Sequence, residues 1–343
     1  MKLTSLLLSS AAVLVAGSAF AADLPAKKAA PAAAVASCPA QGAGYFTIPG
    51  SDTCLLIGGR MRYSGTFSND DQSYTNAGSY LLKFTARSNT EIGLLHGFAS
   101  MGNDGIDDAY LQFSGFTFGK SSSIADIAGT SAENFGSGLG GASDIGITYA
   151  ATMGDITLSL GIAEGADNNN TTTTTTTAPS GTPDMLVGIS AKAGPVDVKL
   201  AAASHVATDA TGDTNGYAVV GRVGASMGGG FGVALFGGMS NAAADYTGEL
   251  LPDTDGLGNE NQASNFGGEI TVALGKGTLA LAAARQSNKL DADEMSMDVV
   301  GLTYIYQITK GLTIEPEIVY AVTDDNGVET ESSSVFLRVQ RDF

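Results

Sequence analysis

The chain has 343 residues, 46 of them glycine, no tryptophan, 43% hydrophobic residues and a formal net charge of −18 at pH 7. Acidity of that size repels phosphate backbones and argues against nucleic acid as a partner. The only cysteines are Cys38 and Cys54 and the only histidines are His96 and His205; neither pair has triad or ligand-set spacing, so no catalytic residue, metal site or cofactor is expected.

Taken in chain order, the stretch "MKLTSLLLSSAAVLVAGSAFAAD" joins Lys2, a short apolar run and a small-residue site at Ala19–Phe20–Ala21, the pattern of a cleaved secretory signal over residues 1–22. Its apolar run is too short to span a bilayer. Export leads to an oxidising compartment, where two thiols pair, so a single disulfide between Cys38 and Cys54 is expected. Residues 23–53, Pro- and Ala-rich at the start and carrying Lys27, Lys28 and Cys38, read as an N-terminal leader.

From residue 54 to residue 343 the pattern is alternation. In "DITLSLGIAEG", Ile156, Leu158, Leu160 and Ile162 share one face, while Asp155, Thr157, Ser159 and Gly161 share the other. The preceding "DIGITYAAT" alternates likewise, and the turn at "MGD" joins the two as a hairpin. The same unit recurs, giving strands at 54–67, 79–88, 91–100, 107–114, 117–121, 144–152, 155–163, 184–193, 196–206, 217–226, 231–240, 265–274, 278–287, 296–308, 312–322 and 332–343. Short connections such as "AGP", "GKG" and "TKG" alternate with longer polar ones at 68–78, 101–106, 121–143, 164–183, 207–216, 241–264, 288–295 and 323–331.

Tight turns at one end and long loops at the other describe an all-β fold, a transmembrane antiparallel up-and-down β-barrel of 16 strands. A soluble sandwich would share the alternation but not this rhythm. Nor would it share the aromatics near strand ends, at Phe46, Tyr304, Tyr306, Tyr320 and Phe343. The terminal "VFLRVQRDF" needs no polar cover if it pairs with the first strand, because closure abolishes its edge.

With the apolar positions on lipid, the alternate positions line water. A basic wall is then expected from Arg60, Arg62, Lys83, Arg87 and Arg338. The loop 121–143 carries Ile124, Ile127, Phe135 and Leu139, which a loop over open water has no reason to carry. It is expected to fold into the lumen and present Asp126 and Glu133 opposite the basic wall, setting up a transverse field. Acidic outer loops, with Asp253 and Asp255 among their residues, add a weak cation preference. The tract "NNNTTTTTTTAPSGTP" reads as a disordered external loop.

Three segments, "CPAQGAGYFTIPGSDTCLLIGGRMRY", "DDAYLQFSGFTFGKSSS" and the terminal "FLRVQRDF", resemble the alphaproteobacterial porins of the outer membrane. The resemblance implies a sixteen-stranded barrel in the bacterial outer membrane, assembled as a homotrimer and passing small hydrophilic solutes and ions by passive diffusion. It also implies a constriction from the third external loop, here 121–143, and a C-terminal aromatic, Phe343, that serves membrane insertion by the outer-membrane insertion machinery in contact with outer-membrane lipid. The alternative is a structural or adhesive outer-membrane barrel with a plugged lumen.

Overall fold

The computed structural model describes residues 36–343, apart from 128, 132–142, 165–181, 210–211, 249, 251–252 and 255–258. The expected signal peptide and most of the expected leader therefore lie outside the described residues, as do Glu133 and most of the threonine tract. Residues 37–343 form one unit. Its strands are β1 (Phe46–Thr47), β2 (Cys54–Ser68), β3 (Tyr74–Thr90), β4 (Gly93–Gly102), β5 (Gly105–Phe113), β6 (Phe116–Ser122), β7 (Ser143–Met153), β8 (Ile156–Ala163) and β9 (Asp184–Ala193). They continue as β10 (Val196–Asp209), β11 (Gly212–Met227), β12 (Phe231–Asn241), β13 (Gln262–Leu274), β14 (Gly277–Leu290), β15 (Asp293–Thr309), β16 (Leu312–Asp325) and β17 (Val328–Asp342).

Each strand from β2 onward pairs antiparallel with its chain neighbours. The ring closes where β17 meets β2, from Ser334 opposite Ser68 to Asp342 opposite Arg60. Below that point Phe343 and Gly59 exchange two backbone hydrogen bonds of 3.1 Å, and β1 pairs with the part of β2 that β17 does not reach, Thr47 opposite Cys54. Sixteen strands thus form the wall and the two-residue β1 finishes its rim. Closure is what a hydrocarbon surrounding demands, since no backbone group there can turn to water.

The tight turns fall where alternation breaks at glycine, as at Gly154 and Gly194, whose φ values of 62° and 59° a side chain would strain. At the opposite end several connections are much shorter than the sequence suggests. The polar stretch around Asn326–Gly327 is a continuation of β16 and β17 to a two-residue turn with φ of 55° and 84°, the pair that an Asn-Gly turn accommodates. β15 likewise begins at Asp293, not near 296. Above the membrane the outward face meets water, so the ladder continues without an apolar face and the alternation signal disappears. Longer connections that remain at this end include 123–142, 164–183 and 242–261.

The two faces of the wall differ as expected on the outside. Ile57, Met61, Leu160, Ile162, Val187, Leu200, Leu235, Leu281, Leu302 and Ile318 point outward and are exposed. Outward aromatics gather toward both ends, with Tyr63 and Tyr74 joined by a 2.6 Å hydroxyl contact at one and Phe113, Phe116, Phe118 and Tyr149 in mutual ring contact at the other.

The inner face is not uniformly polar. On β8 to β11 the inward residues are Ala163, Leu186, Ala201, Ala203, Ala218 and Val220, each at most 5% exposed. They are covered by Ile124, Ala125 and Ile127 of the segment leaving β6 and by Ala243 and Tyr246 of the β12–β13 connection. Small inward side chains leave room for chain inside the barrel; at Gly161 and Gly188 a Cβ would come within 2.9 Å and 2.5 Å of Ile124. The segment reaches further round the wall at Ser131, whose Oγ donates to Glu269 Oε1 of β13 at 3.0 Å and whose backbone N–H donates to the same carboxylate.

Candidate functional site

Register places the basic residues together. Gly58 opposite Lys83, Cys54 opposite Arg87, Ser64 opposite Arg338 and Arg62 opposite Gln340 put Arg60, Arg62, Lys83, Arg87 and Arg338 on the inward face of three adjacent strands, β17, β2 and β3. Their surroundings are unequal. Lys83 is exposed to the lumen. Arg62 donates through Nε to Gln340 Oε1. Arg87 donates to the Gln41 carbonyl at 3.2 Å and lies 5.1 Å from the centroid of the Tyr45 ring. Arg338 is buried, sits 5.1 Å from the Phe336 centroid and faces Glu315 of β16 at 3.6 Å, so this cation is largely neutralised within the wall. The opposed charge was invisible to reasoning on one strand, though Glu315 and Arg338 are direct partners in the β16–β17 register.

The polar lining continues past β3. His96 Nδ1 contacts Gln112 Oε1 at 2.8 Å, Gln112 donates to Thr117 at 3.1 Å, and Ser100 donates to Asp108 at 3.0 Å. His96 is thus a hydrogen-bonded inward side chain of β4.

Opposite this sector lies the segment leaving β6. β10 is eight strands from β2, half-way round a ring of sixteen, and Asp126 is there in the field of Lys199 of β10. The Asp126 side chain touches water, but the enclosing wall leaves it less hydrated than in open solution, and that desolvation raises its pKa while Lys199 pulls it back down. Glu133 lies outside the described residues. A polar niche of about 100 Å³ on the inner face carries the 2.9 Å Arg222–Asp197 ion pair and Glu269.

At the rim, Cys38 and Cys54 form the expected disulfide. It fastens a small hairpin in which Cys38 N–H donates to the Tyr45 carbonyl at 2.9 Å, and Gln41 reaches Asn89 of β3 at 3.2 Å. Phe343 stands outward with its ring over Gly59, where a Cβ would meet it at 2.9 Å.

A cluster that sequence reasoning passed over lies toward the long-loop end. Asp184, His205 and Tyr246 are all within 2% of full burial. His205 Nδ1 donates to the Asp184 carboxylate at 2.9 Å, and the Tyr246 hydroxyl donates to the same carboxylate at 2.6 Å. Asp253, expected as a solvated acid of the outer mouth, is only 11% exposed, and its carboxylate lies 3.8 Å from His205 Nε2.

Residues 23–341 match the family model described as a porin subfamily. Among relatives, the chain is 39% identical over 124 residues to Porin Omp2b of Brucella suis biovar 1, an alignment covering 32% of this chain and 34% of that protein. The chain therefore spans about a third of the length of that relative. To Porin Omp2a of Brucella abortus it is 29% identical over 366 residues, covering 100% of both chains. Among solved structures, the outer membrane channel DcaP of Acinetobacter baumannii superposes with a TM-score of 0.72 at 15% identity, covering 85% of this chain and 97% of that one. The trimer form of OmpT, an outer membrane protein of Vibrio cholerae, superposes with a TM-score of 0.58 at 13% identity, covering 85% and 100%. Likeness at these identities concerns the fold.

Proposed function

The chain belongs to the porin subfamily, and from that premise we propose that it forms a water-filled channel in the bacterial outer membrane for passive diffusion of small hydrophilic solutes and ions. The observation that carries this reading is the closed ring of sixteen strands, apolar and exposed outside, with Arg60, Arg62, Lys83 and Arg87 on its inward face. Such a wall is stable only with hydrocarbon on one side and liquid on the other. No chemistry is required of it.

Within the channel, the segment beginning at Ser123 is the constriction element. Its Asp126 faces the basic wall of β17, β2 and β3, and the opposed charges order water and align polar solutes crossing between them. Support comes from the packing of Ile124 and Ile127 on the far wall and from the Ser131–Glu269 hydrogen bonds. Because Arg338 is matched by Glu315, the remaining basic residues oppose a net charge of −18, and a weak cation preference results. The functional unit is a homotrimer embedded in outer-membrane lipid, as the trimer form of the OmpT structure suggests. Phe343 is the aromatic that the outer-membrane insertion machinery engages.

Single-channel recording of the purified, folded protein in a planar bilayer tests the reading. Discrete, long-lived conductance steps are expected. A barrel that inserts and stays electrically silent would instead be the plugged structural or adhesive alternative.

A further inference from the structure

We propose that residues 242–248, at the start of the connection between β12 and β13, are a second constriction element, latched into the lumen by Asp184, His205 and Tyr246, and that these residues set the size limit of the channel at its long-loop end. The inference rests on the porin reading and concerns a second segment, which meets the one leaving β6 in a shared apolar cluster and continues to Asn288 of β14.

The connection crosses the inner face of the wall. Tyr246 reaches Asp184 on β9. Next to it, Thr247 is fully buried; its hydroxyl is 2.6 Å from Ser240 of β12, and its carbonyl accepts from Asn265 of β13. Gly248 offers its carbonyl to Asn288 of β14 at 3.4 Å. Each of these wall residues is inward-facing, so the segment lies across the lumen side of β9 to β14. The facing wall is shaped for it: Ala201, Ala203, Ala218 and Val220 are small, Ala242, Ala243 and Ala244 of the segment have no exposed surface, and a Cβ on Gly238 would come within 3.1 Å of Thr247.

The latch itself is over-determined. His205 lies between the carboxylate of Asp184 on the wall and that of Asp253 on the segment, at 2.9 Å and 3.8 Å. Asp253 in turn accepts from the Ala244 backbone N–H at 2.6 Å, and its carbonyl accepts from Asn261 N–H at 2.8 Å, which returns the segment to β13. Buried polar groups in such a network hold one geometry, because any displacement leaves them without partners away from water.

The consequence is an off-centre water path. Under the segment β10 and β11 carry small apolar inward residues, Ala201, Ala203, Ala218 and Val220, whereas β2 to β5 carry Arg60, Lys83, Arg87, His96 and Gln112 on their inward face. A polypeptide layer about 10 Å thick over six of the sixteen strands removes on the order of a third of the bore at that level.

The test is conductance and polymer exclusion. Asn241 pairs with Gln262, so residues 242–261 can be excised and replaced by a two-residue turn with the β12–β13 ladder intact. This excision, alongside Tyr246→Phe and His205→Ala, would be recorded in planar bilayers with polyethylene glycols of graded size. The excision raises conductance about 1.5-fold and admits larger polymers, and the two single variants give part of the same change. Should the excised channel conduct and exclude as the parent does, the segment does not limit the bore. If excision widens the channel while both single variants match the parent, the latch assignment is wrong. Absence of any channel activity in the parent overturns the porin reading instead, so the two failures are distinguishable.

Discussion

Leu160→Arg puts the outward face to its sharpest test. Leu160 is 59% exposed on β8, and its cross-strand partners Tyr149 and Val187 also point outward. It lies four residues from the strand start at Ile156, which at about 3.3 Å per residue and a tilt near 40° is roughly 10 Å of height within an apolar band about 25 Å tall. An arginine so close to the midplane costs about 2–4 kcal/mol, a 30- to 800-fold loss in the folded fraction. Thr157→Arg, three residues away on the inward face, meets water and changes stability by no more than about 0.5 kcal/mol. Urea titration of the protein in lipid vesicles measures both. Tyrosine emission and the heat-shifted gel mobility of the folded barrel serve as signals, since the chain has 11 tyrosines and no tryptophan. Equal costs, or a larger cost at Thr157, would mean that the oily face is packed inside a soluble protein.

Neutralising Arg60 and Arg62 together to Gln increases cation preference; a charge about 8 Å from the path in water contributes on the order of 0.5 kcal/mol, so the permeability ratio moves roughly twofold, read as reversal potential under a salt gradient. An unmoved potential places both side chains away from the narrowest point. Reducing the disulfide, or replacing Cys38 and Cys54 with Ser, removes about 3 kcal/mol of constraint from a segment closed over a separation of 16 residues. The loss is confined to the rim hairpin, so limited proteolysis near Gly42 accelerates while the urea midpoint of the barrel stays put. Asp126, its pKa raised by desolvation, binds its proton at higher pH than an open aspartate does. It therefore favours the docked segment fully below the unfolded aspartate pKa and loses that contribution as pH rises through its own value. Cation preference should decline on acidification earlier than an ordinary aspartate titrates, and Asp126→Asn abolishes that decline.

The parts of this fold that were legible in the sequence are those where hydrocarbon enforces a period. β7 and β8 could be traced from Ile145 to Ile162 because every second residue there meets lipid, and the closing strand from Val335 to Leu337 for the same reason. Above the membrane that constraint ends, and the true start of β3 at Tyr74 carried no signal. Which part of the inward face is covered is less legible. The apolar Ile124 and Ile127 point to packing on the wall, but not to Ala201, Ala203, Ala218 and Val220 as the seat; a period of two says which residues share a face and nothing about what covers that face. For the latch, the missing information was partly present in the chain. Ala193 pairs with Val196 across the Gly194–Pro195 turn and Met185 with Ser204 eight rungs on, so Asp184 and His205 are mirror positions about that turn. Glu315 and Arg338 stand in the same relation about the Asn326–Gly327 turn. In an up-and-down barrel, a turn located in sequence therefore predicts the charge partners on the two strands it joins, and an acid and a base at mirror positions on the inward face mark wall chemistry that reading each strand alone cannot find.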